Sequence, residues 1–189
     1  MNRKKAFIKT IVAASISLLG GSLLALADER SGGTLDTLYD ALRHAEAEAA
    51  IAIERDIIRL WELSGSDSID FLYKKADEAF EAKDFKSAVD HFSAVVEFAP
   101  DFAMGWYGRS RAYANLGYNG PALADLEQVL ALDPQNFFAI LGLGQLFQSL
   151  GRPDLALKAY DQALEVHPHF AVALELKDAL AAYVQDKNI

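Results

Sequence analysis

The sequence contains no cysteine. That removes thiol nucleophiles, disulfides, iron–sulfur clusters, Cys-ligated zinc and a lipid-modified N-terminal cysteine from consideration. Proline is scarce, five in 189 residues, so each one can be read as punctuation rather than background. Basic side chains are in deficit: 18 Lys and Arg stand against 27 Asp and Glu, a formal net charge of −9, which disfavours nucleic-acid phosphates as a partner. A membrane span needs about 20 predominantly apolar residues; the uncharged run from Ile11 to Leu26 is shorter and is interrupted by Gly20-Gly21. With 52% hydrophobic and 24% charged residues, the chain is nevertheless too apolar to be disordered and is long enough to bury a core.

The N-terminus reads as an address. Arg3, Lys4, Lys5 and Lys9 precede the uncharged run, and Ala25-Leu26-Ala27 before Asp28-Glu29 has the small-x-small form of a secretory cleavage site. Residues 1–27 are therefore expected to be a signal peptide, cut between Ala27 and Asp28, leaving 28–33 as a flexible mature N-terminus with no stable membrane span. Removing those four cations leaves 14 basic against 27 acidic side chains, a net charge of −13. The expected location is extracytoplasmic, in a bacterial periplasm.

Self-similarity dominates the rest. Pro100, Pro134 and Pro168 are spaced by 34, and Trp106, Tyr113, Ala122, Leu126 and Pro134 align with Ile140, Phe147, Ala156, Tyr160 and Pro168. The preceding copy supplies Leu72, Ala79, Ala88, Phe92 and Pro100. A 34-residue period with large, small and aromatic residues at fixed offsets before a proline resembles the tetratricopeptide repeat (TPR) family of helix-turn-helix repeats. Small residues (Ala76, Ser110, Gly144 and then Ala88, Ala122, Ala156) let paired helices approach. Gly117 and Gly151 suit helix ends, and Pro121 and Pro153 suit first turns. The chain departs from the family at Lys75 and Arg109, where Leu is usual, and at Ala79, where an aromatic is usual.

The fold expected is all-α: a solenoid with repeats at 69–102, 103–136 and 137–170, flanked by an N-terminal helical hairpin with its turn (34–68) and a C-terminal capping helix and tail (171–189). The periodicity predicts helices at 69–82, 87–99, 103–116, 121–132, 137–150, 155–166 and 171–185. In the last, Val172, Leu174, Leu176, Leu180 and Tyr183 lie among polar residues, as a cap requires. Residues 34–63 read either as one long helix or as a degenerate hairpin bent near Ala45 to Ala50. The hairpin is preferred because it lets both apolar stripes reach the first repeat, whereas a straight helix of roughly 30 residues would span about 45 Å.

Nothing in the sequence assembles a catalytic or metal constellation, and no cofactor is expected. His167 and His169 flank Pro168 in an inter-repeat turn, where other copies hold Ala99 and Asp101 or Asp133 and Gln135, so they read as ordinary turn residues. Gly142-Leu143-Gly144 lies mid-helix and lacks a third glycine, which excludes a nucleotide loop. Asp77 and Glu81 share a helix face but have nothing to raise a pKa by burial, so they read as a solvated or ligand-facing stripe.

What the resemblance implies is a binding surface. In TPR proteins the first helix of each repeat lines a concave groove, and the corresponding positions here are Asp70, Tyr73, Asp77, Phe80 and Glu81; Met104, Tyr107, Arg111, Ala114 and Asn115; and Phe138, Leu141, Gln145, Gln148 and Ser149. That groove grades from acidic and aromatic to apolar and amide-bearing, so the partner implied is a protein or peptide with basic and apolar character. The Lys and Asn clamp used by the chaperone-tail-binding subset is replaced by Tyr73, Asp77, Tyr107 and Arg111. The order of elements is similar to that of short secreted alphaproteobacterial TPR proteins, which implies architecture more than activity; the function expected is that of a non-enzymatic adaptor or assembly factor of the cell envelope. The alternative is a specialised chaperone for an exported apoprotein, for example in cytochrome c maturation.

Overall fold

The computed structural model describes residues 34–187; the signal peptide, the Ala27–Asp28 cleavage point and residues 28–33 lie outside the described residues. The chain divides into two units after Thr37. Of the first, residues 34–37 are described and are helical. The described residues form nine helices and no strand: α1 (residues 34–44), α2 (Ala47–Trp61), α3 (Asp67–Glu81), α4 (Phe85–Phe98), α5 (Ala103–Asn115), α6 (Asn119–Leu132), α7 (Phe137–Ser149), α8 (Pro153–Val166) and α9 (Ala171–Lys187). The architecture is an all-α solenoid.

Three antiparallel pairs, α3–α4, α5–α6 and α7–α8, stack through α4–α5 and α6–α7, and α9 closes the array on α8. The pairs are alike because their turns are alike. At the ends of α3, α5 and α7 the amides of Asp84, Tyr118 and Arg152 reach back five residues to the carbonyls of Ala79, Tyr113 and Phe147, the bond that ends a helix with a left-handed residue. That residue is Gly117 (φ 77°) or Gly151 (φ 69°) in the later repeats and Lys83 (φ 61°) in the first. Side-chain caps start two helices: Asp84 accepts from the Ser87 amide at 3.2 Å and Asn136 from the Ala139 amide at 3.0 Å.

Close approach within pairs depends on the small positions. A Cβ on Gly144 would lie 2.3 Å from the buried Tyr160 ring. Across α5–α6 the non-family Arg109 has a partner: its Nε and Nη2 donate to the two carboxylate oxygens of buried Asp125, each at 2.8 Å. The guanidinium also lies 4.9 Å from the Trp106 ring centroid. The departure from Leu thus replaces an apolar contact by a two-pronged ion pair.

The N-terminal helices form the hairpin expected, but their aromatic and hydrogen-bond contacts fall elsewhere than expected. The Tyr39 and Trp61 ring centroids are 6.4 Å apart; one unbroken helix would hold them about 33 Å apart, so the chain reverses at Ala45–Glu46. The pair does not form a zeroth layer reaching the first repeat through both stripes. Trp61 instead packs on Phe137 and Phe138 (4.9 and 5.3 Å), and Asp133 accepts hydrogen bonds from the Trp61 indole (2.9 Å) and the Tyr39 hydroxyl. A buried indole N–H needs an acceptor, and the turn between the second and third repeats supplies one. In the last helix, α9 buries Ala173 and Leu180 and leaves Val172, Leu174 and Tyr183 exposed.

Candidate functional site

Because α3 meets α5 and α5 meets α7, the first helices of the repeats line one inner surface, and side chains four apart on each helix point along it. Its centre is an open cleft of about 170 Å³ between α5 and α7. Tyr107, Ser110, Arg111 and Ala114 form one wall, Gly142, Gln145, Leu146 and Ser149 the other, and Asn119, Ala122 and Leu126 of α6 close it off. A glycine at 142 helps to open this space.

Of the residues expected in the groove, Tyr107, Arg111, Ala114, Gln145 and Ser149 line the cleft. Arg111 draws a second group toward it. Its guanidinium lies 4.0 Å from the centroid of the Phe80 ring and 5.8 Å from that of Tyr107, with nitrogens 4.0 Å from an Asp77 oxygen and 3.9 Å from a Glu81 oxygen. Two carboxylates thus share one cation. Partial burial raises the Asp77 carboxyl above its ordinary range, Arg111 opposes the rise and Glu81 adds to it. Burial likewise raises the Tyr107 phenol, against the pull of Arg111.

Other expected residues are committed elsewhere. Asp70 accepts from the backbone amide (3.1 Å) and hydroxyl of Ser64 and so fastens the turn before α3. Tyr73 is a core aromatic, edge-on to Phe92 and Phe102, and its phenol is pushed far up by burial, reinforced by Asp77. Met104 and Leu141 are buried. The Asn115 amide donates to the Arg111 carbonyl within its own helix at 2.9 Å, and Gln148 accepts from the Tyr160 hydroxyl at 2.7 Å. Equal offsets from the repeat start do not give equal exposure, because the inner surface is partly filled by the molecule itself.

Phe138 shows how. It stacks on Tyr107 (5.9 Å, 20°) and contacts Trp61 and Phe170, so the apolar end of the groove is occupied by α2. His167 and His169, read from sequence as ordinary turn residues, serve this contact. The His167 Nε2 lies 3.2 Å from a Glu54 carboxylate oxygen and the His169 Nε2 3.1 Å from the Ala45 carbonyl. His167 is buried, stacked on Phe170 at 5.3 Å, with Nδ1 unpartnered. Burial lowers its pKa from the ordinary 6.5, against the raising influence of Glu54. Asp133, Glu54 and both histidines are site residues that sequence reasoning missed; the only signal was Trp61 at the end of an apolar stripe with no partner assigned.

Among the described residues, no group of three or more His, Asp or Glu side chains is placed to hold a metal ion, and no helix is long and apolar enough to cross a membrane.

Two tetratricopeptide-repeat family models match this chain, at residues 105–136 and 138–170. A TPR repeat-containing protein of Rhizobium etli is 31% identical over 148 residues, which is 78% of this chain and 72% of that protein. The first TPR of Spaghetti (RPAP3) bound to an HSP90 peptide superposes with a TM-score of 0.59 at 20% identity, covering 62% of this chain and 93% of that one. The TPR2B domain of yeast Sti1 in complex with an Hsp70 peptide gives 0.58 at 22% identity, covering 62% and 99%.

Proposed function

Since this chain belongs to the tetratricopeptide repeat family, we propose that it is a non-enzymatic protein that binds a protein or peptide segment in its concave groove. The observation that carries this is the open cleft between α5 and α7, walled by Tyr107 and Arg111 on one side and Gln145 and Ser149 on the other. An apolar floor with a few polar groups at its rim takes one side chain of a ligand and orients it. That domains of the same fold hold peptides in solved complexes supports the reading.

The ligand that fits carries basic and apolar groups. Asp77 and Glu81 share Arg111, so this end of the groove keeps a net negative charge, beside the faces of Phe80 and Tyr107. Carboxylates at a rim steer and set register more than they add affinity. The setting we propose is the bacterial periplasm, reached by export and cleavage after Ala27, with the protein serving there as an adaptor or assembly factor. The basic start and the Ala25-Leu26-Ala27 pattern support export.

Affinity capture with the mature protein, followed by binding of the captured partner to Tyr107→Ala and to the Asp77→Lys, Glu81→Lys double variant, tests the groove. Weakened binding in both, with altered salt dependence in the second, is expected; unchanged affinity and salt dependence in folded variants reject it. N-terminal sequencing of periplasmic protein should begin at Asp28, and a retained Met1 in the membrane fraction refutes export.

A further inference from the structure

Helix α2 is held at the edge of the inner surface, by Phe138 and by the turns that follow α6 and α8. Its buried or half-buried positions are Ala50, Ile53, Glu54, Ile57, Ile58, Leu60 and Trp61, and within that face Ala50, Glu54, Ile57 and Trp61 run four, three and four residues apart along one stripe. Ile51 on its other side is exposed. The helices of the repeats interlock closely at glycines, between pairs where Gly108 of α5 meets Phe92 of α4 and within a pair where Gly144 of α7 meets Tyr160 of α8, and α2 approaches none of them as closely as they approach one another. It is anchored by side chains: the Trp61 ring on Phe138, its indole N–H on Asp133, and Glu54 on His167. With Ala50 and Ile57 buried beneath it, one aromatic anchor with a few directional bonds around it has the anatomy of a helix docked in a groove.

We propose that α2 is a displaceable resident of the groove, and that the partner is an amphipathic helix of the same pattern: a carboxylate, an apolar residue three positions on, and a tryptophan four beyond that. The partner's tryptophan takes the place of Trp61 against Phe138 and Asp133, and its carboxylate takes the place of Glu54 at His167. The inference rests on the groove reading for what enters, but not for whether α2 leaves. With α2 in place, the cleft at Tyr107, Arg111 and Gln145 is open. With α2 displaced, the apolar end at Phe138 joins it, and the binding surface lengthens toward the third repeat.

The test uses a labelled synthetic peptide of residues 47–63 as probe, titrated onto the full mature chain and onto the same chain carrying Trp61→Ala. The variant, whose groove has lost its anchor, should bind the probe at least about ten-fold more tightly than the wild type. A probe that itself carries Trp61→Ala should bind neither chain. In the wild-type chain, which needs no variant to fold, hydrogen exchange of α2 amides should run at least about ten-fold faster than that of α5 to α8, because α2 opens without the array. A folded Trp61→Ala chain that binds the probe no better than the wild type overturns the proposal. So does equal binding of the two probes, and so does α2 exchange as slow as that of the array. Should a captured partner ignore Tyr107→Ala and the Asp77→Lys, Glu81→Lys variant, the groove reading fails while these results keep their meaning.

Discussion

Arg109 and Asp125 face each other from α5 and α6 with both guanidinium–carboxylate contacts at 2.8 Å, and the Asp125 side chain is only 5% exposed. A buried pair is stabilising chiefly in the sense that neither member can be left alone. Arg109→Ala should lower stability by about 3 kcal/mol, because it strands the carboxylate. The double change Arg109→Leu with Asp125→Ala, which restores the residue usual at this offset, should recover most of that loss. Denaturant midpoints of the three chains check both statements; equal losses in the single and double variants would show that the pair acts only through packing.

Lys83 occupies in the first repeat the left-handed position that Gly117 and Gly151 occupy in the others. A side chain there costs about 1–2 kcal/mol, while glycine adds about 0.5–1 kcal/mol of unfolded-state entropy to be lost. Lys83→Gly should therefore raise stability by up to about 1 kcal/mol, a gain of a few degrees in Tm. Gly117→Ala, where a Cβ meets nothing within 4 Å, should lose about 1 kcal/mol through backbone strain alone. Thermal melts of both should move in opposite directions.

Gly144→Val should be far more damaging. Its first added carbon lies 2.3 Å from an edge of the Tyr160 ring, and that ring is fully buried and cannot swing aside. Overpacking of this kind costs about 1–3 kcal/mol. The upper end is expected, with the midpoint of the α7–α8 pair, followed by hydrogen exchange, falling most.

The buried His167 gives stability a pH dependence of definite sign. Its folded pKa is lowered from 6.5 by burial, so the unfolded chain binds the extra proton first and stability falls as pH drops below the unfolded value. His167→Gln, which does not titrate, should lose less stability than the wild type between about pH 8 and pH 5. Parallel slopes in the two chains would mean that this histidine is solvated in the native state.

The repeats are legible in the sequence because each depends on neighbours within one period: the prolines, the small residues and Gly117 and Gly151 announce the turns directly. Arg109 could be flagged as a departure, but naming its partner required the α5–α6 register, since Glu127 lies within a turn of Asp125. The docking of α1 and α2 was out of reach for a different reason. A stripe such as Ile53, Ile57, Leu60 and Trp61 declares that a face is buried, not what buries it. Asp133 and His167 sit at offsets where other copies hold unremarkable turn residues, and only three-dimensional proximity turns them into acceptor and clasp. Met104 and Leu141, at groove offsets, are buried for the same reason.

The bonds that hold the N-terminal helices span 72 residues (Trp61–Asp133), 94 (Tyr39–Asp133), 113 (Glu54–His167) and 124 (Ala45–His169), whereas the repeats are built from contacts within about one period. Loop closure over such distances is slow compared with local pairing. In the order of synthesis, α1 and α2 precede the repeats, yet their docking partners, from Asp133 to Phe170, come well after them. The chain therefore assembles out of order: the array must grow behind a pair of amphipathic helices that wait, with Trp61 uncovered, until Phe170 has been added.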